Sequence, residues 1–376
     1  MTSHTASTLP ARITLSLRDG AEIAAVATGE QYKWAETALR AAGWQRTGNG
    51  VYTRPAADLK AAELALTTLV HFARRHRAAV VTSTRPYLGN IADTIAHQLP
   101  GPWVPTVEIY SHPLWQEDLV PWLWDSGELT RAVRAGQVTH AAKLTNAAAG
   151  VDLLLVERPG HPAGYVIGAF ASDGFDDNFE NPYSPASIVL PQDPYRAAAT
   201  IVDRYLPAYH QALRTRRSTV VASALARIRD EHTELQHTVP HPGPADEDRF
   251  IDVAWYDVLN IVKHAPPLIE HSRRGPLPPE DSTAITDLAT ALSVGARVVD
   301  GWQGLPSTAR HAPTPEGDIP DLKTIRNRTI RPVIESVLAH GDTLLHHTHT
   351  NAPGRAPAPA PATPALPPAP APARHR

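Results

Sequence analysis

Residues 78–110, AAVVTSTRPYLGNIADTIAHQLPGPWVPTVEIY, hold the pattern on which the fold reading turns. Ala78–Thr82 is a short β-branched run bounded by Ser83 and Pro86, so it reads as a strand. Tyr87–Leu99 is long enough for a helix and is stopped by Pro100-Gly101, and Val104–Tyr110 is a second strand. Strand, helix and strand in that order predict a βαβ crossover whose two strands are parallel neighbours. Ligands of open α/β sheets collect beyond the carboxyl ends of such strands. Here those ends are Ser83-Thr84-Arg85 and Ser111-His112, expected side by side under a turn at Trp115–Asp118.

Upstream, Ile13, Leu15 and Leu17 alternate with polar residues, and Asp19-Gly20 offers a tight turn into Glu22–Ala27, which predicts a hairpin. From Glu30 the period lengthens: Trp34, Ala38, Leu39 and Ala42 share a helical face, and Gly43 stands where a left-handed cap is wanted. Gly48-Asn49-Gly50 between Trp44–Thr47 and Val51–Arg54 predicts a second hairpin. Asp58 then caps a helix whose stripe is Leu59, Ala62, Leu66, Leu69, Val70 and Ala73.

Downstream, a short helix is expected over Leu119–Trp124 and another over Glu128–Ala135, with Ser126 as a possible cap; Val151–Arg158 and Gly164–Phe170 read as an apolar hairpin. Ser187–Leu190 is a strand, and Asp193-Pro194 opens a helix in the cap and first-turn order that proline favours. The order strand, proline, aspartate, helix thus occurs at Val51–Asp58 and again at Ile188–Asp193, compatible with a duplicated module. Beyond Thr215 four helical segments remain, 219–235, 247–263, 281–302 and 319–345, separated by breaks at Pro240–Pro244, Pro266–Pro279 and Pro306–Pro320.

The expected fold is therefore an α/β or α+β N-terminal domain (residues 12–215, hairpins plus the crossover) after a flexible start at 1–11. A bundle-like α-helical domain follows at 216–347, then a disordered Ala-Pro tail at 348–376. A chain of 376 residues has core enough for two domains. The absence of cysteine removes disulfides, thiolate metal sites and a cysteine nucleophile. With no apolar leader at the N-terminus and no membrane-length apolar run, a cytoplasmic protein is expected. A net charge of −3 argues against a globally basic nucleic-acid binder.

Residues 106–128, TVEIYSHPLWQEDLVPWLWDSGE, concentrate three of the eight tryptophans with His112 and several carboxylates, which marks a binding face. Ser83, Thr84, Arg85, Ser111 and Trp115 are the expected ligand contacts, Arg85 and the following backbone N–H groups suiting a phosphate or carboxylate. His112, oriented by Glu117 or Asp118, is the candidate acid/base group. In the opposing structural reading, His112 and the carboxylates merely dress a turn, and Trp115, Trp122 and Trp124 fill an interface with the helical half.

No cofactor or metal is expected. The acidic run 173–180 lacks the glycine and the terminal glutamate of a calcium loop. Glu234-x-x-His237 has the spacing of one half of a di-iron motif without a second copy, and His340, His346, His347 and His349 read as a solvated terminus. The signatures HExxH, GxSxG, GxxxxGK[ST] and GxGxxG do not occur. The composite expectation is a non-enzymatic binding or regulatory protein that engages a small anionic ligand or a protein partner. The alternatives are a hydrolase or transferase with His112 as general base, and a nucleic-acid accessory protein using Arg214, Arg216, Arg217, Arg227, Arg229, Arg273, Arg274, Arg326, Arg328 and Arg331. Oligomeric state is not encoded in any of these patterns.

Overall fold

The computed structural model describes residues 11–18, 22–172, 175, 181–239, 241–310 and 322–350. The Asp19-Gly20 turn, residues 1–10, the acidic run 173–180 apart from Phe175, and the Ala-Pro residues 351–376 lie outside them; of the start expected to be flexible at 1–11 only Ala11 is described, and it is buried. The chain divides into two compact units, Met1–Arg216 and Arg217–Arg376. The first is α+β with two sheets, and the second is helical among its described residues.

Strands β1 (Arg12–Arg18) and β2 (Glu22–Thr28) pair antiparallel, with Ile13 opposite Ala27 and Leu15 opposite Ala25. After β2 come helix α1 (Tyr32–Ala41), the hairpin β3 (Gln45–Arg46) and β4 (Tyr52–Pro55), helix α2 (Leu59–Arg75) and strand β5 (Ala79–Thr82). The sheet runs β3-β4-β2-β1-β5, with β5 parallel to β1. Gly43 and Gly50 both hold positive φ, +77° and +81°, as the caps and turns there require. Asp58 caps α2 by accepting from the N–H groups of Lys60 and Ala61. Ile13, Leu39, Tyr52 and Leu69 fill the space between this sheet and its two helices. Two residues of the expected stripes fall outside it: Leu59 is 83% exposed and Trp34 38% exposed, because each sits in the first turn, before the helix reaches the sheet.

The crossover is not formed as expected. Helix α3 (Leu88–Gln98) joins β5 to β6 (Val104–Ile109), but β6 belongs to a second sheet, where it pairs antiparallel with β8 (His140–Asn146). Between them come a 3-10 turn (Pro113–Leu119), β7 (Leu123–Trp124) and α4 (Glu128–Arg134). The second sheet runs β11-β10-β9-β8-β6, where β9 is Val151–Glu157, β10 Tyr165–Phe170 and β11 Ile188–Leu190, and β7 pairs with β10. The physical reason is competition for edges. The β1 backbone takes β5 as its parallel partner, and β6 finds in β8 a seven-residue antiparallel partner, so the strands on either side of α3 never meet.

Both faces of the second sheet are covered. One face, with Leu144, Leu153, Leu155, Tyr165 and Ile167, packs on α3 and on a helical run made of α5 (Pro194–Thr200), a π segment (Ile201–Tyr205) and α6 (Leu206–Thr238). The other, with Leu154, Val156 and Val166, packs on α4 and the 3-10 turn. This explains why β9 reads as a continuous apolar run rather than an alternating one. Asp193 caps α5 through the Arg196 N–H, so both strand–aspartate–helix junctions form as expected. The helix expected at 119–124 is instead a turn and a two-residue strand: Trp122, still in the turn, is 66% exposed, whereas Trp124, paired with β10, is buried against Tyr209.

In the C-terminal unit, α6 continues and is followed by α7 (Pro244–Ser272), α8 (Pro279–Gln303), the single turn α9 (Ser307–Arg310) and α10 (Leu322–Thr350). Ile261, Leu268, Leu288, Ile330 and Leu344 are among the residues that make its core. The break expected at Pro266 does not occur: α7 runs through Pro266 and Pro267, and α10 through Pro332. Burial of His264, Ala265, Leu268 and Ile269 around the proline pair holds the helix together across the lost N–H groups. Gly295 lets α8 approach closely, since a Cβ there would lie 3.0 Å from Val262 Cγ2 and 3.2 Å from Val333 Cγ1. Among the described residues no helix is long and apolar enough to cross a membrane.

Candidate binding site

The expected site residues fall into two neighbourhoods. After β5 the chain turns: Ser83 N–H donates to the Leu15 carbonyl, and Ser83 Oγ accepts from the Arg85 N–H at 3.0 Å. Arg85 itself is 6% exposed. Its guanidinium donates to the carbonyls of Pro162 (3.3 Å), Arg158 (3.1 Å) and His161, and pairs with Glu157 at 3.3 Å. It therefore braces the turn between β9 and β10, with every nitrogen of its fork committed inside the protein. An external anion would have to displace those acceptors, which corrects the reading of Arg85 as an anion clamp.

A polar cavity of about 320 Å³ opens here, lined by Ser83, Thr84, Arg85, His140, Glu157 and His161 among others. His140 and Glu157 carried no signal in the sequence, since each ends or begins an apolar strand. His140 lies with Nε2 3.8 Å from Glu157 and Nδ1 3.1 Å from Thr139 Oγ1. Burial lowers its pKa; Glu157 opposes that shift and Arg85 adds to it, so the imidazole is held neutral. On the adjoining strand, burial with the Glu157 charge beside it pushes the Tyr165 hydroxyl up to about 12, and that hydroxyl is closed off without a hydrogen-bond partner. Arg158 closes the rim in a bidentate pair with Glu128 at 2.9 and 3.3 Å.

The second neighbourhood contains Ser111, His112, Trp115, Glu117 and Asp118. Ser111 is buried, and its carbonyl accepts from the Gly29 N–H at 2.8 Å, tying the end of β6 to the loop after β2. His112 caps the 3-10 turn, with Nδ1 accepting from the Leu114 N–H at 3.2 Å. Glu117 and Asp118 are exposed, and neither bonds to His112. The orienting carboxylate of an acid/base pair is therefore missing, and Arg85 forms no hydrogen bond or ion pair with His112. The two strand ends that the crossover would have brought together serve different structures.

What this turn does present is an aromatic surface. The Trp115 ring stands edge-on to Tyr32 with centroids 5.2 Å apart, and His112 lies 6.5 Å from Tyr32 and 6.4 Å from Trp115. Trp115 is 42% exposed, and its neighbour Leu114 59%. Beneath them Gln116 is buried; its Oε1 accepts from the Val138 N–H at 2.7 Å and its amide donates to the Gly136 carbonyl at 3.2 Å. The rings thus stand on a turn pinned from below at Gln116 and capped at its start by His112. A pit of about 190 Å³ beside them is lined by Gly29, Glu30, Tyr110, Ser111, Pro113 and Gln116 among others.

The arginines of the C-terminal unit are largely answered by carboxylates. Arg227 pairs with Asp257 at 2.5 Å, Arg229 with Asp342 at 2.7 Å, Arg326 with Asp252 at 2.5 Å, and Arg331 with Glu247. Arg326 is also held between two tryptophan faces, 4.4 Å from the Trp255 ring and 4.6 Å from Trp302. Arg216 lies over Phe175 at 3.8 Å, and Arg214 donates to Gln211 at 2.6 Å; Arg273, Arg274 and Arg328 are exposed. His347 bonds Asp281 at 2.8 Å, while Glu234 and His237 are both exposed on α6. Comparison with protein-family models, curated proteins and solved structures finds no match.

Proposed function

We propose that this is a non-enzymatic binding protein whose Tyr32–His112–Trp115 surface engages a protein partner. The supporting observation is the edge-on Tyr32–Trp115 pair, with Tyr32 half-buried and Trp115 exposed beside Leu114 on a turn fixed by Gln116. Large aromatics anchor protein interfaces, and a pre-formed surface loses little entropy on association. Three exposed acidic residues of these segments, Glu30, Glu117 and Asp118, outnumber Lys33, which lies 4.7 Å over the Tyr32 ring, and so favour a partner with basic residues around an apolar centre. An anionic small molecule is the weaker reading, because the fork of Arg85 is committed to internal acceptors. A cytoplasmic setting agrees with the absence of cysteine.

The test is quantitative enrichment from lysate of the source organism with wild-type protein, Trp115→Ala and Leu114→Ser, followed by affinity measurement on each purified candidate. A true partner loses at least about tenfold in affinity on Trp115→Ala, the loss of a modest hot spot. If the enriched set and its affinities are unchanged in both variants, the aromatic surface is not the binding face.

A further inference from the structure

The C-terminal unit holds a cavity with a different chemistry. It measures about 250 Å³ and lies among α6, α7 and α10, with Leu235, Phe250, Ile251, Ile334 and Leu338 among the residues lining it. Phe250 stacks at a tilt of 49° on His232, with centroids 5.5 Å apart, so one wall presents aromatic faces. Glu247 pairs with Arg331, and Glu335, one turn further along α10, enters no ion pair. The single arginine is thus neutralised and one carboxylate is left over.

A second hollow of about 180 Å³ shares Leu235 and Phe250 with the first. It adds Glu231, Glu234 and Asp246 against one cation, Arg249. Asp246 is occupied in accepting from the Gly243 N–H at 3.1 Å, whereas Glu231 and Glu234 are exposed on α6. Both mouths therefore carry excess negative charge over an apolar floor. An anionic ligand would meet repulsion from three uncompensated carboxylates, while a cation gains attraction from them and from the Phe250 face.

We infer that this cavity binds a small hydrophobic amine, a primary ammonium on an aryl or branched alkyl body, with the apolar part against Phe250, Ile334 and Leu338 and the ammonium towards Glu335. For a ligand of about ten non-hydrogen atoms the expected dissociation constant is on the order of 0.1 mM. The site is independent of the aromatic surface of the N-terminal unit, and neither reading requires the other.

Isothermal titration of the full chain with 2-phenylethylammonium, phenylacetate and 2-phenylethanol tests the assignment, since the three share one ring and differ in charge. The ammonium is expected to bind, the alcohol about tenfold or more weakly and the acid without measurable heat. Glu335 is exposed, so Glu335→Gln should weaken the ammonium about twofold to fivefold and leave the alcohol unchanged. Phe250→Leu, which keeps the apolar fill, should weaken the ammonium severalfold through loss of the ring face; a circular-dichroism melt confirms that each variant is folded. Equal binding of alcohol and ammonium, preference for the acid, no heat with the ammonium, or folded variants that bind it like wild type would each overturn the proposal.

Discussion

Replacing Arg85 by methionine separates a structural brace from a ligand clamp. Methionine keeps most of the buried aliphatic volume and removes the fork, leaving the carbonyls of Arg158, His161 and Pro162 and one oxygen of Glu157 without their donor. A buried pair broken on one side costs about 3–5 kcal/mol. The turn at Gly160–Pro162 is exposed, so water can rehydrate part of what is lost. The net destabilisation is therefore expected near the lower end, about 3 kcal/mol. For a unit of this size that lowers the melting temperature by roughly 6–12 °C. A second readout comes from His140: Arg85 helps to hold its pKa down, so the imidazole should titrate at higher pH in the variant. Urea denaturation followed by circular dichroism gives the first quantity, and proton NMR of the His140 ring gives the second. Unchanged stability together with an unchanged His140 titration would refute the brace. If phosphate stabilised the wild type and not the variant, the anion clamp would be restored in its place.

Other expectations follow from the same contacts. His140→Gln should flatten acid sensitivity: with the folded pKa below the unfolded value near 6.5, the unfolded chain takes up the proton first, so wild-type stability falls as pH drops below about 6.5 while the variant loses less. Chemical denaturation at pH 7.5 and 5.5 checks it, and equal slopes would count against a buried neutral ring. Arg326→Leu removes the guanidinium held between Trp255 and Trp302 while Lys323 still pairs with Asp252 at 2.5 Å, for a loss of about 1–2 kcal/mol and altered tryptophan emission. Gly127→Ala should cost at least about 2 kcal/mol, because the new Cβ would lie 2.6 Å from the Ser187 backbone nitrogen; a thermal melt matching wild type would show that the strand moves freely. Gln116→Leu strands the Val138 N–H, should cost about 2 kcal/mol, and should broaden the Trp115 indole resonance if the turn loosens.

Local signals carried much of the fold and little of its pairing. Asp58, Asp193, Gly43 and Gly50 each act through their own backbone, and each does in the structure what its sequence context implies. Which strand joins which is settled by edges far away in sequence, so Ala79–Thr82 and Val104–Ile109 look like neighbours on either side of a helix and yet enter separate sheets. The prolines of α7 mislead for a related reason: the local cost of Pro266 and Pro267 is visible, whereas the compensating burial of Leu268 and Ile269 is tertiary. At the site, Trp115 was legible because a cluster of tryptophans is rare. Glu157 and Gln116 were not, since one glutamate and one glutamine carry meaning only through what folds around them.

The parallel pairing of β1 with β5 also bears on the order in which the protein can be made. Arg12 finds Ala79 and Leu15 finds Thr82 only after both hairpin strands, α1 and α2 have been synthesised. Until then one side of β1 is an unpaired edge carrying apolar Ile13 and Leu15, the kind of surface that recruits another chain. The meander β8-β9-β10, by contrast, closes through short turns as it emerges. A ribosome that still holds Thr82 inside its exit tunnel would therefore display the open β1 edge, and one that has released it would not: emergence of β5 is the step that moves the open edge of this sheet from the seven-residue β1 to the four-residue β5.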